Sequence, residues 1–293
     1  MKRCLSYLFL AILVVYPGIM IGIMRQKKIP TIRVCTYNVR RMGSENLVKN
    51  MWQNRKNLVF DTINTIHPDV IGFQEVVQTQ LEDLQVALSD YEFFGEPRSA
   101  RMKGWLQRWV MKHPKAKDEY NPIFYNTKRI KCLKSGNFGI NPRAHFFTAY
   151  LPRICTWGLF EDLGTGKQFY VYNTHLDRDS SVIRRKQMSK ILKHVEKKTK
   201  DKPALLIGDF NNRFKGRSKQ RKLNRYNFVN AKNIAQTVEG PQETRTGWDN
   251  SELKIIDYIF VKPKDTIVKK HVIVESPEGV FPSDHRPVYV DIE

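Results

Sequence analysis

The sequence predicts an α/β (α+β) fold, a four-layer sandwich of two packed mixed β-sheets flanked by helices and preceded by an N-terminal transmembrane helix. Short apolar, β-branched runs recur along the chain, only a few stretches show helical spacing, and no Gly/Ser-rich or Pro-rich linker divides residues 29–293. Because strand-like runs far outnumber helical ones, two sheets with helices outside are favoured over a singly wound βαβ sheet.

The N-terminal segment, residues 1–28, contains an uncharged run of 21 residues from Cys4 to Met24. As a helix this run is about 31 Å long, which matches the hydrocarbon core of a bilayer. An uncleaved membrane anchor is the favoured interpretation, with a cleaved or export-type signal and a soluble chain as alternatives. Basic residues flank both ends of the run, so the side of the membrane stays undetermined.

Residues 29–293 are expected to form one domain. Helical spacing of apolar residues predicts helices over 54–66, 78–89 and 180–198, the first of which ends before Pro68. Strands are expected near residues 32–37, 70–74, 122–126, 153–161, 168–174, 203–208, 255–261, 271–274 and 287–291.

The charge balance narrows the choice of partner. The chain has a net charge of +21, and residues 1–28 hold five basic residues and no acidic ones, so the predicted domain itself has a charge of +16. Such a surplus favours a polyanionic substrate, with nucleic acid preferred to anionic lipid. The protein is expected to be a monomer. The four cysteines form no C-x-x-C pair, which argues against a zinc knuckle or a redox motif.

Five apolar runs end on, or lead into, polar residues of the same kinds. The run ends are Asn38, Gln74-Glu75, Asn173-Thr174-His175, Asp209-Phe210-Asn211 and Ser283-Asp284-His285. Buried strands can display such groups together only where they reach one edge of a sheet. The pattern therefore predicts a single cluster of oxygen ligands and two imidazoles, which is the outline of a hydrolytic metal site.

Individual members of this cluster suggest roles. Asp209 and Asn211 are alternate residues after a buried strand, so they can hold and deprotonate an attacking water, although Asp-x-Asn is also common in simple Asx-turns. Glu75 is a hard oxygen ligand suited to Mg²⁺ or Mn²⁺ and not to zinc.

Two strongly basic segments contain no acidic residue, one from Arg98 to Lys117 with Trp105 and Trp109, and one from Arg213 to Arg225. They could bind nucleic acid, could seat a helix on anionic lipid, or could be solvated loops.

The ordered set of motifs resembles the endonuclease/exonuclease/phosphatase superfamily, which has the deoxyribonuclease I-like fold. The resemblance covers nearly all of residues 32–293. Within that superfamily, the chain resembles the bacterial branch similar to nocturnin and deadenylase-type exonucleases. This resemblance rests on three stretches: Asn121 to Tyr125, Ser135 to Phe138 and Arg153 to Trp157. Departures from that branch lie around the expected substrate cleft and not among the predicted metal ligands.

The resemblance implies a role for each residue. Glu75 would be the principal metal ligand, supported by Asn38 and Asp284, for Mg²⁺ or Mn²⁺. Asp209 and Asn211 would orient and activate the attacking water. His285 would be a catalytic imidazole whose tautomer Asp257 fixes, and His175 would be a second imidazole paired with Glu119. Arg153 is similar to an arginine that faces the substrate phosphate.

The expected activity is divalent-metal-dependent hydrolysis of a phosphoester P–O bond by an activated water. A phosphodiesterase or nuclease, 3′ exonuclease-like, is the first candidate. A membrane-associated lipid or inositol-phosphate phosphatase, or a sphingomyelinase-like phospholipase, is the alternative, and a non-catalytic anchored binding protein is the second alternative.

Overall fold

The structure, a computed structural model, describes residues 31–45, 47–101, 118–141, 152–214, 216–276 and 281–293. These residues contain thirteen strands and four α-helices. The strands are β1 (Ile32–Asn38), β2 (Val70–Gln74), β3 (Tyr91–Phe94), β4 (Ile123–Asn126), β5 (Ile130–Gly139), β6 (Ile154–Asp162), β7 (Gln168–His175), β8 (Ala204–Asp209), β9 (Val229–Asn230), β10 (Thr237–Glu239), β11 (Asp257–Lys262), β12 (Val268–Ile273) and β13 (Val288–Ile292). The helices are α1 (Trp52–Ile66), α2 (Gln78–Ala87), α3 (Ser181–Thr199) and α4 (Arg217–Arg225).

The strands form two mixed sheets. The first has seven strands in the order β10-β12-β13-β1-β2-β4-β3, and the second has six in the order β5-β6-β7-β8-β11-β9. Three pairs are parallel, β1 with β2, β7 with β8 and β10 with β12, and the remaining pairs are antiparallel. The two parallel pairs β1–β2 and β7–β8 lie in the middle of their sheets, where they are buried on both faces.

Three apolar clusters show how the layers pack. One lies between the sheets and includes Val34, Val70 and Ile207. A second packs α3 and α4 against the outer face of the six-stranded sheet, and a third packs α1 and α2 against the outer face of the seven-stranded sheet. The order helix, sheet, sheet, helix confirms the predicted four-layer sandwich.

Helix ends follow local chemistry. The Ser180 hydroxyl accepts a hydrogen bond from the backbone N–H of Ile183 at 3.3 Å and caps α3. Helix α1 ends at Ile66, and the next residue, His67, adopts a left-handed conformation with φ of 48°. The chain therefore turns before Pro68 and enters β2.

The helices and strands predicted within residues 29–293 are present, with bounds shifted by a few residues, and several further elements appear. Sequence periodicity missed β3, β5, β9, β10 and α4. The long edge strand β5 is half exposed along most of its length and contains a bulge between Cys132 and Lys134, so it lacks the apolar run of a buried strand. Helix α4 occupies most of the second basic segment.

The predicted transmembrane helix falls in residues 1–30, outside the described residues. Among the helices that the structure describes, none is long and apolar enough to cross a bilayer. Of the first basic segment, only the 3₁₀ turn Arg98–Arg101 is described, and Trp105 and Trp109 lie outside the described part of the chain.

Candidate active site

Strand register places the predicted residues side by side. In the six-stranded sheet His175 of β7 lies opposite Asp209 of β8, and Asp209 lies opposite Asp257 of β11. In the seven-stranded sheet Asn38 of β1 lies opposite Gln74 of β2, with Glu75 next in the chain. Asn38 Nδ2 donates to Asp209 Oδ2 at 3.1 Å, which joins the two sheet edges. The predicted convergence of strand ends is therefore confirmed.

Gly208 lets β7 and β8 approach closely just before Asp209. Its φ of 138° lies outside the range that residues with a side chain favour, and a Cβ there would lie 1.9 Å from the carbonyl oxygen of Thr174. On the other side of Asp209, Asn211 is left-handed with φ of 47°, and its backbone N–H donates to Asp209 Oδ1 at 2.8 Å. The Asx-turn and the pair predicted to act on the water are thus the same local structure.

Asp257 and His285 form a buried pair. The Nδ1 atom of His285 donates to Asp257 Oδ2 at 2.9 Å, and the other ring nitrogen, Nε2, lies 3.9 Å from Asp209 Oδ2. Burial disfavours the charged imidazole, but Asp257 and Asp284 outweigh it and raise the pKa of His285 to about 10. His285 is consequently a proton donor at neutral pH.

Asp209 has the opposite character. Burial, followed by the neighbouring charge of Asp257, raises its pKa to about 7. A carboxylate with such a pKa can accept a proton at neutral pH, which is the property that a general base needs.

His175 is a neutral acceptor. Burial, helped by the guanidinium of Arg153, holds its pKa well below the usual range. Its Nε2 atom therefore accepts a hydrogen bond from Asn211 Nδ2 at 3.0 Å, and the same amide group donates to the carbonyl oxygen of Leu176 at 3.1 Å. Asn211 thus orients the imidazole of His175 as well as lying beside Asp209.

Glu119 does not lie where the resemblance placed it. Its carboxylate pairs with Arg98 and lies 3.8 Å from Arg41 Nη1, and none of its ion pairs involves His175. The Nδ1 atom of His175 is buried without a hydrogen-bond partner among the described residues. The expected Glu119–His175 pair is therefore corrected, because two arginines attract this carboxylate more strongly than a neutral imidazole can.

Glu75 lies at the opposite wall of the site. Asn38 Nδ2 donates to its Oε1 at 3.2 Å, the backbone N–H of Arg41 donates to its Oε2 at 3.3 Å, and Glu75 itself is left-handed with φ of 61°. Burial opposes ionisation, but the neighbouring imidazole and guanidinium groups, with the hydrogen bond from Asn38, outweigh it and hold the pKa of Glu75 below its usual range.

One cleft of about 310 Å³ is bordered by six of the predicted site residues: Glu75, Glu119, His175, Asp209, Asn211 and His285. Arg153 lines it, as predicted, and so do five further arginines that the sequence did not single out as site residues: Arg40, Arg41, Arg98, Arg178 and Arg245. Arg40 and Arg41 follow closely after Asn38 at the end of β1, and this position in the sequence could have indicated that they belong to the site. Arg245 comes from an irregular segment with no local motif, and only the folded chain brings it here.

The predicted ligands fit a divalent cation. Arg40 Nη1 lies 3.8 Å from Glu75 Oε2 and 3.7 Å from Asp284 Oδ2, and Asp284 Oδ1 is buried with no hydrogen-bond partner in the described chain. A second group, which was predicted to be catalytic and not metal-binding, also places one potential ligand atom from each of Asp209, Asp257 and His285 within 4.8 Å of the others. Buried carboxylate oxygens in excess of their partners are the donor set that Mg²⁺ or Mn²⁺ prefers.

The paired imidazole and carboxylates, facing oxygen ligands across an arginine-lined cleft, define a hydrolase site for an anionic ester. A family model described as the endonuclease/exonuclease/phosphatase family matches residues 35–285. The chain belongs to this family, whose members hydrolyse phosphoesters.

Solved structures agree with this assignment. An endonuclease/exonuclease/phosphatase from Bacteroides vulgatus is 29% identical with a TM-score of 0.76, covering 90% of this chain and 98% of that one. The mannosyl-6-phosphatase Bt3783 of Bacteroides thetaiotaomicron is 25% identical with a TM-score of 0.74, covering 89% and 99%. The human nocturnin catalytic domain, with bound sulfate, shares the fold at 23% identity and a TM-score of 0.69, covering 90% and 93%.

A curated relative is also similar. The uncharacterized protein L388 of Acanthamoeba polyphaga mimivirus is 26% identical over 168 residues, which are 55% of this chain. The match spans 59% of the length of L388.

Proposed function

We propose that this chain is a Mg²⁺- or Mn²⁺-dependent phosphoester hydrolase that acts on a polyanionic substrate. The observation that carries the proposal is the position of Asp209, between the Asp257–His285 pair and the Asn38–Glu75 pair. A cation held by Glu75, with Asn38 and Asp284, would offset the charge of the bound phosphate.

The described side chains support a balanced sequence of proton transfers. Asp209 takes a proton from the attacking water as the water oxygen bonds to phosphorus. As the P–O bond to the leaving group breaks, His285 gives its Nε2 proton to the leaving oxygen. Asp209 can then return its proton to His285 across the 3.9 Å that separates Oδ2 from Nε2. Asp257 holds the ring in the tautomer that this exchange requires.

Nucleic acid is the polyanion that the charge of the chain favours over anionic lipid, and cleavage of a phosphodiester, endonucleolytic or 3′ exonuclease-like, is the first candidate reaction. The net charge of +21 supports this preference. Removal of a phosphate is the second candidate, supported by the 25% identity to a mannosyl-6-phosphatase. A phosphate-bearing lipid is the alternative substrate, because the apolar N-terminal run would hold the domain at a membrane.

Hydrolysis assays on the full chain test the proposal. We expect a p-nitrophenyl phosphoester to be cleaved with Mg²⁺ or Mn²⁺ and not with a chelator present. Asp209→Asn should reduce kcat by about 100-fold or more, because the base is lost. Asp201→Asn, the same change at an exposed turn after α3, should retain activity. Cleavage of neither a phosphomonoester nor a phosphodiester with either ion would contradict the proposal.

A second experiment addresses the substrate. Short RNA, short DNA, phosphoinositides and sphingomyelin are compared at several salt concentrations. Nucleic-acid cleavage that falls steeply as salt rises supports the preferred polyanion, because each phosphate contact releases counterions. Activity confined to lipid vesicles contradicts it.

The run from Cys4 to Met24 supports a further proposal, a single-pass membrane anchor for the domain that follows it. A reporter fused to the C-terminus would then fractionate with membranes, and its activity would identify the side. Recovery of the fusion in the soluble fraction without cleavage contradicts an anchor.

A further inference from the structure

Three arginines converge on one end of the cleft from separate parts of the chain. Arg41 follows β1, Arg98 begins the 3₁₀ turn Arg98–Arg101, and Arg153 lies just before β6. All three line the cleft that also contains Glu75 and His175. A cluster of guanidinium groups beside the reacting groups indicates a site for anionic oxygens.

Arg98 is held rigidly at this place. Its side chain pairs with Glu119, its backbone N–H donates to the Glu119 carbonyl oxygen at 3.0 Å, and only 4% of the residue is exposed. The following residue is fixed as well, because the backbone N–H of Ser99 donates to Asp118 Oδ1 at 3.0 Å. The start of the first basic segment is thus fixed beside the cleft.

Two guanidinium groups share one carboxylate at this end of the cleft, because Glu119 pairs with both Arg98 and Arg41. Arg153 Nη1 is buried without a hydrogen-bond partner among the described residues. Burial, followed by repulsion from Arg153, holds the pKa of Arg98 well below its usual range. A buried N–H group without a partner is costly, so an anion that accepts a charge-assisted hydrogen bond from Arg153 is favoured at this place.

The charge of the phosphate distinguishes the possible substrates. A phosphomonoester carries a charge of about −1.5 to −2 at neutral pH and three terminal oxygens. An internal phosphodiester carries a single negative charge and two such oxygens. Three guanidinium groups therefore match the monoester better in both charge and number of acceptors.

We propose that Arg98, oriented by Glu119, joins Arg41 and Arg153 in a subsite that selects a terminal phosphate group as the one hydrolysed. This inference rests on the proposed phosphoester hydrolysis and decides between its two candidate reactions in favour of phosphate removal. Glu119 is a positioning residue, because it contacts the arginines and acts on the substrate only through them.

Kinetic selectivity tests the subsite. With Mg²⁺ or Mn²⁺, we expect p-nitrophenyl phosphate to be hydrolysed with a higher kcat/KM than bis-p-nitrophenyl phosphate. Arg98→Gln should reduce kcat/KM for the monoester by about 100-fold and change that for the diester by less than about threefold. The matched control is Arg225→Gln on the exposed end of α4, which should leave both values unchanged. Equal losses on the two esters, or a wild-type preference for the diester, overturn the proposal.

Glu119 has its own readout. Glu119→Gln should raise KM for the monoester more than it lowers kcat, because Arg98 loses its fixed position, and Glu119→Asp should restore part of the selectivity. If Glu119→Gln instead lowers kcat equally for both esters, Glu119 acts in the chemistry and the positioning role is wrong.

A binding measurement separates this proposal from the proposed function. Inorganic phosphate should raise the melting temperature of the wild-type chain in the presence of a chelator, and Arg153→Gln or Arg98→Lys should reduce that shift. The measurement requires no catalysis, so it still applies if neither ester is cleaved. A shift that is the same in wild type and variants, or no shift in the wild type, overturns the subsite.

Discussion

Gln74 donates a hydrogen bond from Nε2 to Asn173 Oδ1 at 2.7 Å and so joins the two β-sheets in the core. Gln74 immediately precedes Glu75, and Asn173 lies two residues before His175. The amide group of Asn173 also donates to the carbonyl oxygens of Phe73 and Pro122, at 2.8 and 3.0 Å. This buried polar contact therefore connects the strands that present the two walls of the candidate site.

Asn173→Ala should destabilise the protein and impair catalysis together. The variant removes the hydrogen bonds that Asn173 makes with Gln74 and with the carbonyl oxygens of Phe73 and Pro122, and each buried group left unsatisfied costs about 1–3 kcal/mol. We expect the free energy of unfolding in urea to fall by at least about 2 kcal/mol. Asn224→Ala, at an exposed position near the end of α4, is the matched control and should change little. Unchanged stability in Asn173→Ala would show that the two sheets do not depend on this contact.

Gly208→Ala should prevent correct formation of the edge that carries Asp209. The new Cβ would lie 1.9 Å from the Thr174 carbonyl oxygen, and the residue would have to keep a φ of 138°. We expect a loss of stability above about 3 kcal/mol, measured by thermal or urea unfolding. Gly139→Ala is the control, because a Cβ at Gly139 meets no atom within 4 Å. Similar behaviour of the two variants would contradict the explanation.

Glu75→Gln should abolish high-affinity binding of Mn²⁺. Binding is measured from the electron paramagnetic resonance signal of the free ion, which decreases as the ion binds. Neutralising the principal ligand removes a charged oxygen donor, and even indirect ligand partners contribute about 10- to 100-fold to affinity. We expect activity to fall by more than about 100-fold in parallel. Glu82→Gln, at an exposed position on α2, should bind Mn²⁺ as the wild type does. Retained binding in Glu75→Gln would place the metal on other residues.

Acid should destabilise the protein through His271 on β12. Burial, with a contribution from Lys232, lowers the pKa of His271 from 6.5 to about 4. Above pH 6.5 the imidazole is neutral in both the folded and the unfolded chain, so its full contribution to stability is present. As the pH falls towards 4 only the unfolded chain takes up the proton, and stability is lost.

The loss over this range should reach up to about 3 kcal/mol, measured by urea unfolding at several pH values. His271→Leu should flatten the dependence over the same range. His67→Asn, at the exposed end of α1, should preserve it. A variant at His271 with the pH dependence of the wild type would assign the effect to other groups.

Most of the architecture could be predicted because buried strands and amphipathic helices leave periodic apolar patterns. The central strands and helices α1 to α3 carry such patterns and were found with small errors in their bounds. Strand β5 and helix α4 were missed because one lies half exposed at a sheet edge and the other is almost entirely polar. Their formation depends on neighbours that lie far away in the chain.

The sequence by itself determined which residues stand at strand ends, because apolar runs stop where the chain must meet solvent or turn. That sufficed for Asn38, Glu75, His175, Asp209, Asn211 and His285, and the order of these motifs identified the family. Contacts between them depend on the tertiary structure. The Asp257–His285 contact, which joins residues 28 positions apart, agrees with the pairing that the family resemblance implied, whereas the attachment of Glu119 to Arg41 and Arg98 reverses the pairing expected for it. Electrostatic partners are chosen among all groups that folding brings near, and no local pattern encodes that choice.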